Sequence, residues 1–195
     1  MQLDFHKVVI NLPERAERLE RFKMNFNRLH PDDTFRVVNG VRMKPVHVGI
    51  AEAHLNCIRL AKQEGWDKVL IMEDDLLVPN IKANEYMTSA LNKLPEDWDV
   101  ALAGVYWKRS EIKINNYWKK LSEFCSLHWY LVNSKAYDKL LTYDGSNHYD
   151  RWIGTQGLNV YCTNKYFAIQ YDGWSDNVNQ ETKYNDTYIK KQDLL

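Results

Sequence analysis

Apolar positions along the chain follow two spacings. Residues 6–12, HKVVINL, form a short apolar run closed by Pro13, and residues 35–40, FRVVNG, a second run ending at Gly40; both read as strands. Between them, PERAERLERFKMNFNRL (residues 13–29) sets Leu19, Phe22, Phe26 and Leu29 at helical spacing, with proline at the start, where a helix tolerates it. In GIAEAHLNCIRLAKQEG (49–65), Ile50, Ala53, His54, Cys57, Ile58 and Ala61 share one stripe, and Gly65 predicts the stop. WDKVLIMEDD (66–75) reads as a strand, NEYMTSALNKL (84–94) as a helix and WDVALAG (98–104) as a strand. NSKAYDKLLTY (133–143) reads as a helix, with LNVYCTN (158–164) and YFAIQY (166–171) as late short strands. Strands alternating with helices predict an α/β fold: a mostly parallel central sheet with helices on both faces. No repeat or low-complexity segment interrupts the pattern, and residues 1–195 are expected to form a single domain. From about Asn177 the chain turns polar, a tail that either stays mobile or folds over a site.

One segment breaks the logic of burial. In VLIMEDDLLVPN (69–80), a fully apolar run leads into Glu73, Asp74 and Asp75, and apolar residues resume at once. The run is what a central strand covered on both faces requires. Ligands of open parallel sheets bind at the carboxyl ends of strands, where these acids fall. Adjacent carboxylates repel one another unless a cation neutralises them. Hard oxygen ligands suit Mg2+ or Mn2+, and those ions suit a diphosphate. The competing reading is a solvated loop or a helix cap.

Composition narrows the classes. Hydrophobic residues are 45% and charged residues 27% of the chain, as in a soluble globular protein. Lys plus Arg and Asp plus Glu are 26 each, so no global field draws the chain to nucleic acid. Seven Trp and twelve Tyr supply core, and side chains of the kind that line sugar clefts. Cys57, Cys125 and Cys162 are odd in number and far apart, which argues for free thiols over a disulfide framework or zinc site. There is no signal-peptide core and no apolar run of about 18 residues. A cytoplasmic protein without a transmembrane segment is expected.

At this point the ordered motifs resemble glycosyltransferase family 25, the lipopolysaccharide and collagen galactosyltransferase type. VVINLPERAERLERF is similar to that family's opening strand and Arg-spaced helix, and GIAEAHLNCIRLA to its Gly-Cys-x-x-Ser-His helix. VLIMEDD resembles its acidic metal motif, of DXD type. CSLHWYLVNSKAYDKLL, HYDRWI and YFAIQYDGWSDN resemble its closing part. Ile50 and Ala53 stand where the family has Cys and Ser, while Gly49 and His54 are kept. The resemblance implies a nucleotide-sugar-binding GT-A fold. The implied activity is transfer of a hexose from a UDP-sugar, with Mn2+ or Mg2+ and an inverting outcome. The acceptor would be a hydroxyl on a glycan, glycolipid or other molecule.

Residue by residue, Asp75 is the first candidate for the metal because it lies farthest beyond the strand. Glu73 is a second ligand, or with Asp74 holds ribose, sugar or metal-bound water. Asn11 and Leu12 end the first strand, where backbone groups can read a uracil. Arg15 and Arg18 follow on one helical face, placed to pair with phosphate; the alternative is a solvated face with Glu14, Glu17 and Glu20. Asn39 and Gly40 either let the backbone approach the ribose or make a plain turn. His54 and His128 are donor-site candidates by the resemblance and core histidines otherwise. Asp150 is the candidate catalytic base, since an inverting transfer needs a carboxylate to take the acceptor proton; the alternative is a helix cap. His148, Tyr149 and Trp152 beside it are of the type that stacks on sugars. Gln170, Ser175 and Asp176 belong to a late loop able to close over a donor. Two other classes compete with transfer: a metal-dependent phosphohydrolase, which needs further acids at strand ends, where only Asp99 and Asp150 are obvious, and a nucleotide- or glycan-binding domain without turnover.

Overall fold

The computed structural model describes residues 5–184 and 193–195. In chain order the elements are β1 (His6–Asn11), α1 (Ala16–Leu29), β2 (Arg36–Asn39), α2 (Val46–Gln63), β3 (Lys68–Glu73), β4 (Leu76–Leu77) and α3 (Ala83–Leu91). There follow β5 (Val100–Leu102), β6 (Trp107–Lys113), β7 (Trp118–Cys125), β8 (Trp129–Asn133), α4 (Tyr137–Leu140) and α5 (Tyr149–Gly154). Last come β9 (Val160–Thr163), β10 (Ile169–Gln170), β11 (Gly173–Ser175) and β12 (Gln180–Thr182).

Eight strands make one sheet in the order β2-β1-β3-β8-β5-β9-β7-β6. β8 and β7 run against the other six, so the sheet is mixed with a mostly parallel core. Because side chains alternate along a strand, each central strand feeds two cores. Val8, Val69, Ile71, Val100 and Leu102 face one way and pack with Leu55 and Ile58 of α2, Leu140 of α4 and Ile153 of α5. Val9, Leu70, Met72 and Ala101 face the other way and pack with Phe22 and Phe26 of α1 and Met87 of α3. Helices therefore cover both faces, as the apolar runs predict.

Local departures have local causes. α1 begins at Ala16 because Pro13 and Glu14 lie in a turn that Arg15 N–H closes on the Leu12 carbonyl at 2.8 Å. α2 begins three residues early, directly after Pro45, and stops before Gly65, whose φ is +67°. The β6–β7 hairpin has no counterpart in the sequence pattern. β6 is an edge strand, mostly exposed, and shows no apolar face. In β7 the buried Trp118, Leu121 and Phe124 recur every three residues, which mimics a helix although Trp118 and Leu121 enter opposite cores. Beyond Asn177 the described chain folds back as the β11–β12 hairpin, and the rest of the expected tail lies partly outside the described residues. No helix among the described residues is long and apolar enough to cross a membrane.

The register brings one sheet edge together. Asn11 pairs with Asn39 and Ile10 with Glu73, so β1, β2 and β3 end side by side. β8 runs oppositely and starts at that same edge, with the Glu73 N–H on the His128 carbonyl at 3.1 Å.

The loop leading from this edge to α2 depends on Gly49. A Cβ there would come within 2.5 Å of the Val41 carbonyl and 2.9 Å of the Met43 nitrogen, both backbone atoms. Gly49→Ala is expected to cost about 1–3 kcal/mol, as overpacking against backbone does. Thermal unfolding checks this, at about 2–4 °C per kcal/mol for a chain of this size; an unchanged midpoint would mean that the loop yields freely.

Candidate active site

A cleft of about 620 Å³ opens at this edge, of a size that suits a small-molecule ligand. Strand alternation divides the acid trio among three directions. Glu73 shares the parity of Val69 and Ile71 and so turns to the α2 side, where His54 Nε2 lies 3.3 Å from its Oε1. The Tyr130 hydroxyl lies 2.9 Å from His54 Nδ1 and fixes the ring from behind. Asp74 turns to the α1 side, where Asn11 Nδ2 donates to it at 2.7 Å and Arg18 Nη2 at 2.6 Å. Asp75 points forward and receives Arg18 Nη2 at 2.9 Å. Gln170 completes the group: pairing of β10 with β4 sets it opposite Leu76. Its Nε2 donates to Glu73 at 3.0 Å and reaches both Asp75 oxygens at 3.0 Å.

The carboxylates differ in proton affinity. Burial and the neighbouring Glu73 charge push Asp75 up to about 7, against the pull of Arg18. Burial also raises Asp74, opposed by Arg18 and the Asn11 hydrogen bond. Burial would raise Glu73 as well, but the His54 hydrogen bond and the nearby cationic charge outweigh it and hold this carboxyl below its ordinary value.

Across the cleft lies Asp150, the second residue of α5. Its Oδ2 accepts from the Ser126 N–H at 2.7 Å and its Oδ1 from the Arg151 N–H at 2.7 Å. His148, not Asp150, is the helix cap. Ser126 holds a φ of +106°, strained for any residue but glycine. His128 Nε2 lies 2.9 Å from the Ala168 carbonyl, which can only accept. Its Nδ1 is therefore the acceptor for the Ser126 hydroxyl, 2.5 Å away, in the neutral ring that burial favours. His128 thus braces the turn that holds Asp150.

Of the residues singled out in the sequence, Leu12, Arg18, Gly40, His54, Glu73, Asp74, Asp75, Asp150, Gln170, Ser175 and Asp176 line this cleft. Asn11, Arg15 and Asn39 are not among its lining residues. Asn11 is buried behind the wall, bonded to Asp74 and to the Arg15 carbonyl. Arg15 grips Asp176 with Nε at 3.1 Å and Nη2 at 2.9 Å. Trp152 is buried against Tyr143 and Tyr149 and offers no face to a sugar; His148 is exposed, lines the cleft and lies against His47. Asp99 precedes β5 and so sits at the opposite end of the sheet, bonded to the Asn159 N–H. Sequence reasoning missed Ser126, which lies inside the quoted CSLHWYLV segment but was not singled out there, and Arg42 and Tyr106, which fall in no motif and on no periodic stripe. The cysteines are free, Cys57 and Cys162 buried and Cys125 half-buried at the cleft.

The donor set fits a hard divalent cation. Asp75 and Glu73 offer oxygens, and burial, with the Glu73 charge beside it, disfavours a bare carboxylate at Asp75 despite Arg18. Among the described residues no three His, Cys, Asp or Glu side chains form a closed cage.

No family model matches the chain, and no curated protein matches it significantly. Among solved structures, A197 from STIV aligns at a TM-score of 0.50 and 13% identity, over 95% of this chain and 97% of that one. A Drosophila beta-1,4-galactosyltransferase 7 in complex with manganese, UDP-Gal and xylobiose aligns at 0.49 and 16% identity, over 80% and 64% of the two chains. The mannosyltransferase PcManGT from Pyrobaculum calidifontis with GDP-Man and Mn2+ aligns at 0.49 and 8% identity, over 80% and 53%. At 13% identity the first likeness speaks to fold alone. The two transferases fall just under one half in score and decide nothing about what this chain does.

The acid trio has a measurable consequence. The folded pKa of Asp75, about 7, lies above its unfolded value of about 3.9. A group raised in this way stabilises the fold fully below its unfolded pKa and loses that contribution as pH rises through the folded one. In chelator, the melting temperature is expected to fall as pH rises from about 4 to about 7, and Asp75→Asn to flatten that fall. Parallel pH profiles for the two proteins would contradict the assignment.

Proposed function

We propose that the chain is a nucleotide-sugar-dependent glycosyltransferase of GT-A type, moving a hexose from a UDP-sugar to an acceptor hydroxyl with inversion. One observation carries the reading: a single cleft at the carboxyl edge of the parallel strands has an acid trio on one wall and an independently held carboxylate, Asp150, on the other. Transfer needs both, one to handle the diphosphate leaving group and one to handle the incoming hydroxyl.

Leu12 and Gly40 line the floor where backbone groups can meet the base and ribose. Asn11 acts indirectly, orienting Asp74. Glu73, fixed by His54 and Gln170, and Asp74, fixed by Asn11 and Arg18, present oriented oxygens to ribose or sugar hydroxyls. A divalent cation held by Asp75, with Glu73 beside it, would supply Lewis-acid charge at the departing diphosphate. Arg18 adds fixed positive charge at the same place without reorganising. Asp150 accepts the proton of the acceptor hydroxyl as its oxygen attacks the anomeric carbon. The two backbone amides on Asp150 keep its carboxylate in one orientation. Of the two further acids that phosphate hydrolysis would call on, Asp99 is at the far end of the sheet and only Asp150 shares the cleft, which favours transfer.

The test is incubation with UDP- and GDP-sugars, Mn2+ and a panel of glycan and glycolipid acceptors. Asp150→Asn is expected to lower the transfer rate about 10²–10⁴-fold, with donor affinity nearly unchanged because the base acts on the acceptor. Transfer at the parent rate would exclude Asp150 as the base. Lost donor affinity would move it to the donor side.

A further inference from the structure

Three arginines converge on one carboxylate at the mouth of the cleft. Arg15 grips Asp176 with two nitrogens, Arg42 Nη2 adds a contact at 3.2 Å, and Arg18 Nη1 stands 3.6 Å away. They come from two segments: Arg15 caps α1 and Arg18 lies in its first turn, while Arg42 lies in the loop from β2 to α2. Asp176 follows β11, in a hairpin whose strands are three residues each. Two carboxylate oxygens cannot saturate three guanidinium forks. Glu14 takes the outer side of Arg42, and Glu17 lies 3.7 Å from Arg15. Arg18 Nε nevertheless stays buried with no hydrogen-bond partner among the described residues.

We propose that Arg18 and Arg42, which line the cleft, and Arg15, which meets it through Asp176, form a diphosphate subsite, and that Asp176 is its resident anion, displaced when the diphosphate of the donor arrives. The identity of the ligand rests on the nucleotide-sugar reading; the anion site rests on the arginines. Planar guanidinium forks pair with phosphate oxygens as readily as with carboxylate, and a diphosphate brings more oxygens and more charge. The amino end of α1 adds its partial positive charge at the same place. Arg18 joins the subsite to the acid trio, holding Asp74 and Asp75 through Nη2 while Nη1 faces Asp176. Asp176 mimics one end of the ligand. A two-stranded hairpin this short is marginal by itself, so its hold on the body can be exchanged for a ligand.

The experiment is calorimetric titration of the full chain with inorganic pyrophosphate in chelator, which removes base, sugar and metal from the question, followed by UDP. Asp176→Asn is expected to bind pyrophosphate about five- to tenfold more tightly, since the occupied fraction no longer competes. Arg42→Ala, at an exposed side chain, is expected to bind it weaker by a similar factor. Equal or weaker binding by Asp176→Asn, or unchanged binding by Arg42→Ala, overturns the proposal. Should Asp176→Asn fail to fold, the arginine variant still decides. The expected pyrophosphate pattern without transfer from any sugar nucleotide would keep the subsite and remove the transferase reading. Transfer with unaltered pyrophosphate binding in Asp176→Asn would do the reverse.

Discussion

A strand buried on both faces cannot end in three carboxylates without positive charge beside them, and Arg18 supplies it. Its side chain is 16% exposed, and its guanidinium lies against Asp74 and Asp75 at once. Removal of such a partner would strand charge in a poorly hydrated place, the costly way to break an ion pair. The position of α1 follows from this contact as much as from Phe22 and Phe26. The apolar residues press the helix onto the sheet, and Arg18 fixes its first turn over the end of β3. Compensation is incomplete, since burial and the Glu73 charge still push Asp75 up to about 7 against the pull of Arg18.

The architecture was legible where burial imposes a period. Runs such as Val69–Met72, covered on both sides, announce a central strand, and the stripe through Phe22 and Phe26 announces a helix across it. The β6–β7 hairpin escaped because an exposed edge strand has no apolar face, and because the buried residues of β7 recur every three positions. α4 was foreseen as longer: the segment from Asn133 opens with a 3-10 turn, capped by the Asn133 side chain on Lys135 N–H, and only four residues continue as α-helix.

The site was legible only in part. Strand-end acids can be read because the sheet fixes where a strand end goes. The partners of those acids cannot, because they arrive from distant segments through tertiary register. Gln170 reaches Asp75 through the pairing of two-residue strands, a signal too short to read. Ser126 betrays itself only by a backbone angle. Arg15 and Arg18 read as phosphate partners, with an alternating charged face as the alternative, and the chain does contain surface pairs of the second kind, Lys23 with Glu20 among them. What separates the two kinds of basic residue is the direction of the helix face, and that is decided by the core and not by the charges.

The two walls of the cleft are built differently, and the difference bears on how it could work. The wall at the ends of β1 and β3 is fixed by register and by buried hydrogen bonds such as Asn11 to Asp74 and His54 to Tyr130. The facing segment from Gln170 to Tyr184 is held by exchangeable contacts. Asp176 is on the arginines, and Tyr184 is stacked on Tyr106 at 4.9 Å with its hydroxyl on Ser175. A preorganised wall favours charge stabilisation, because its dipoles need not move when charge develops. An exchangeable wall favours admission and release, because its contacts with the body are of the same kind a ligand would make. Gln170 stands at the junction: its side chain is on the acids, and its backbone N–H is on the Tyr106 hydroxyl that anchors the exchangeable segment. The acid trio and the facing segment therefore meet in one residue.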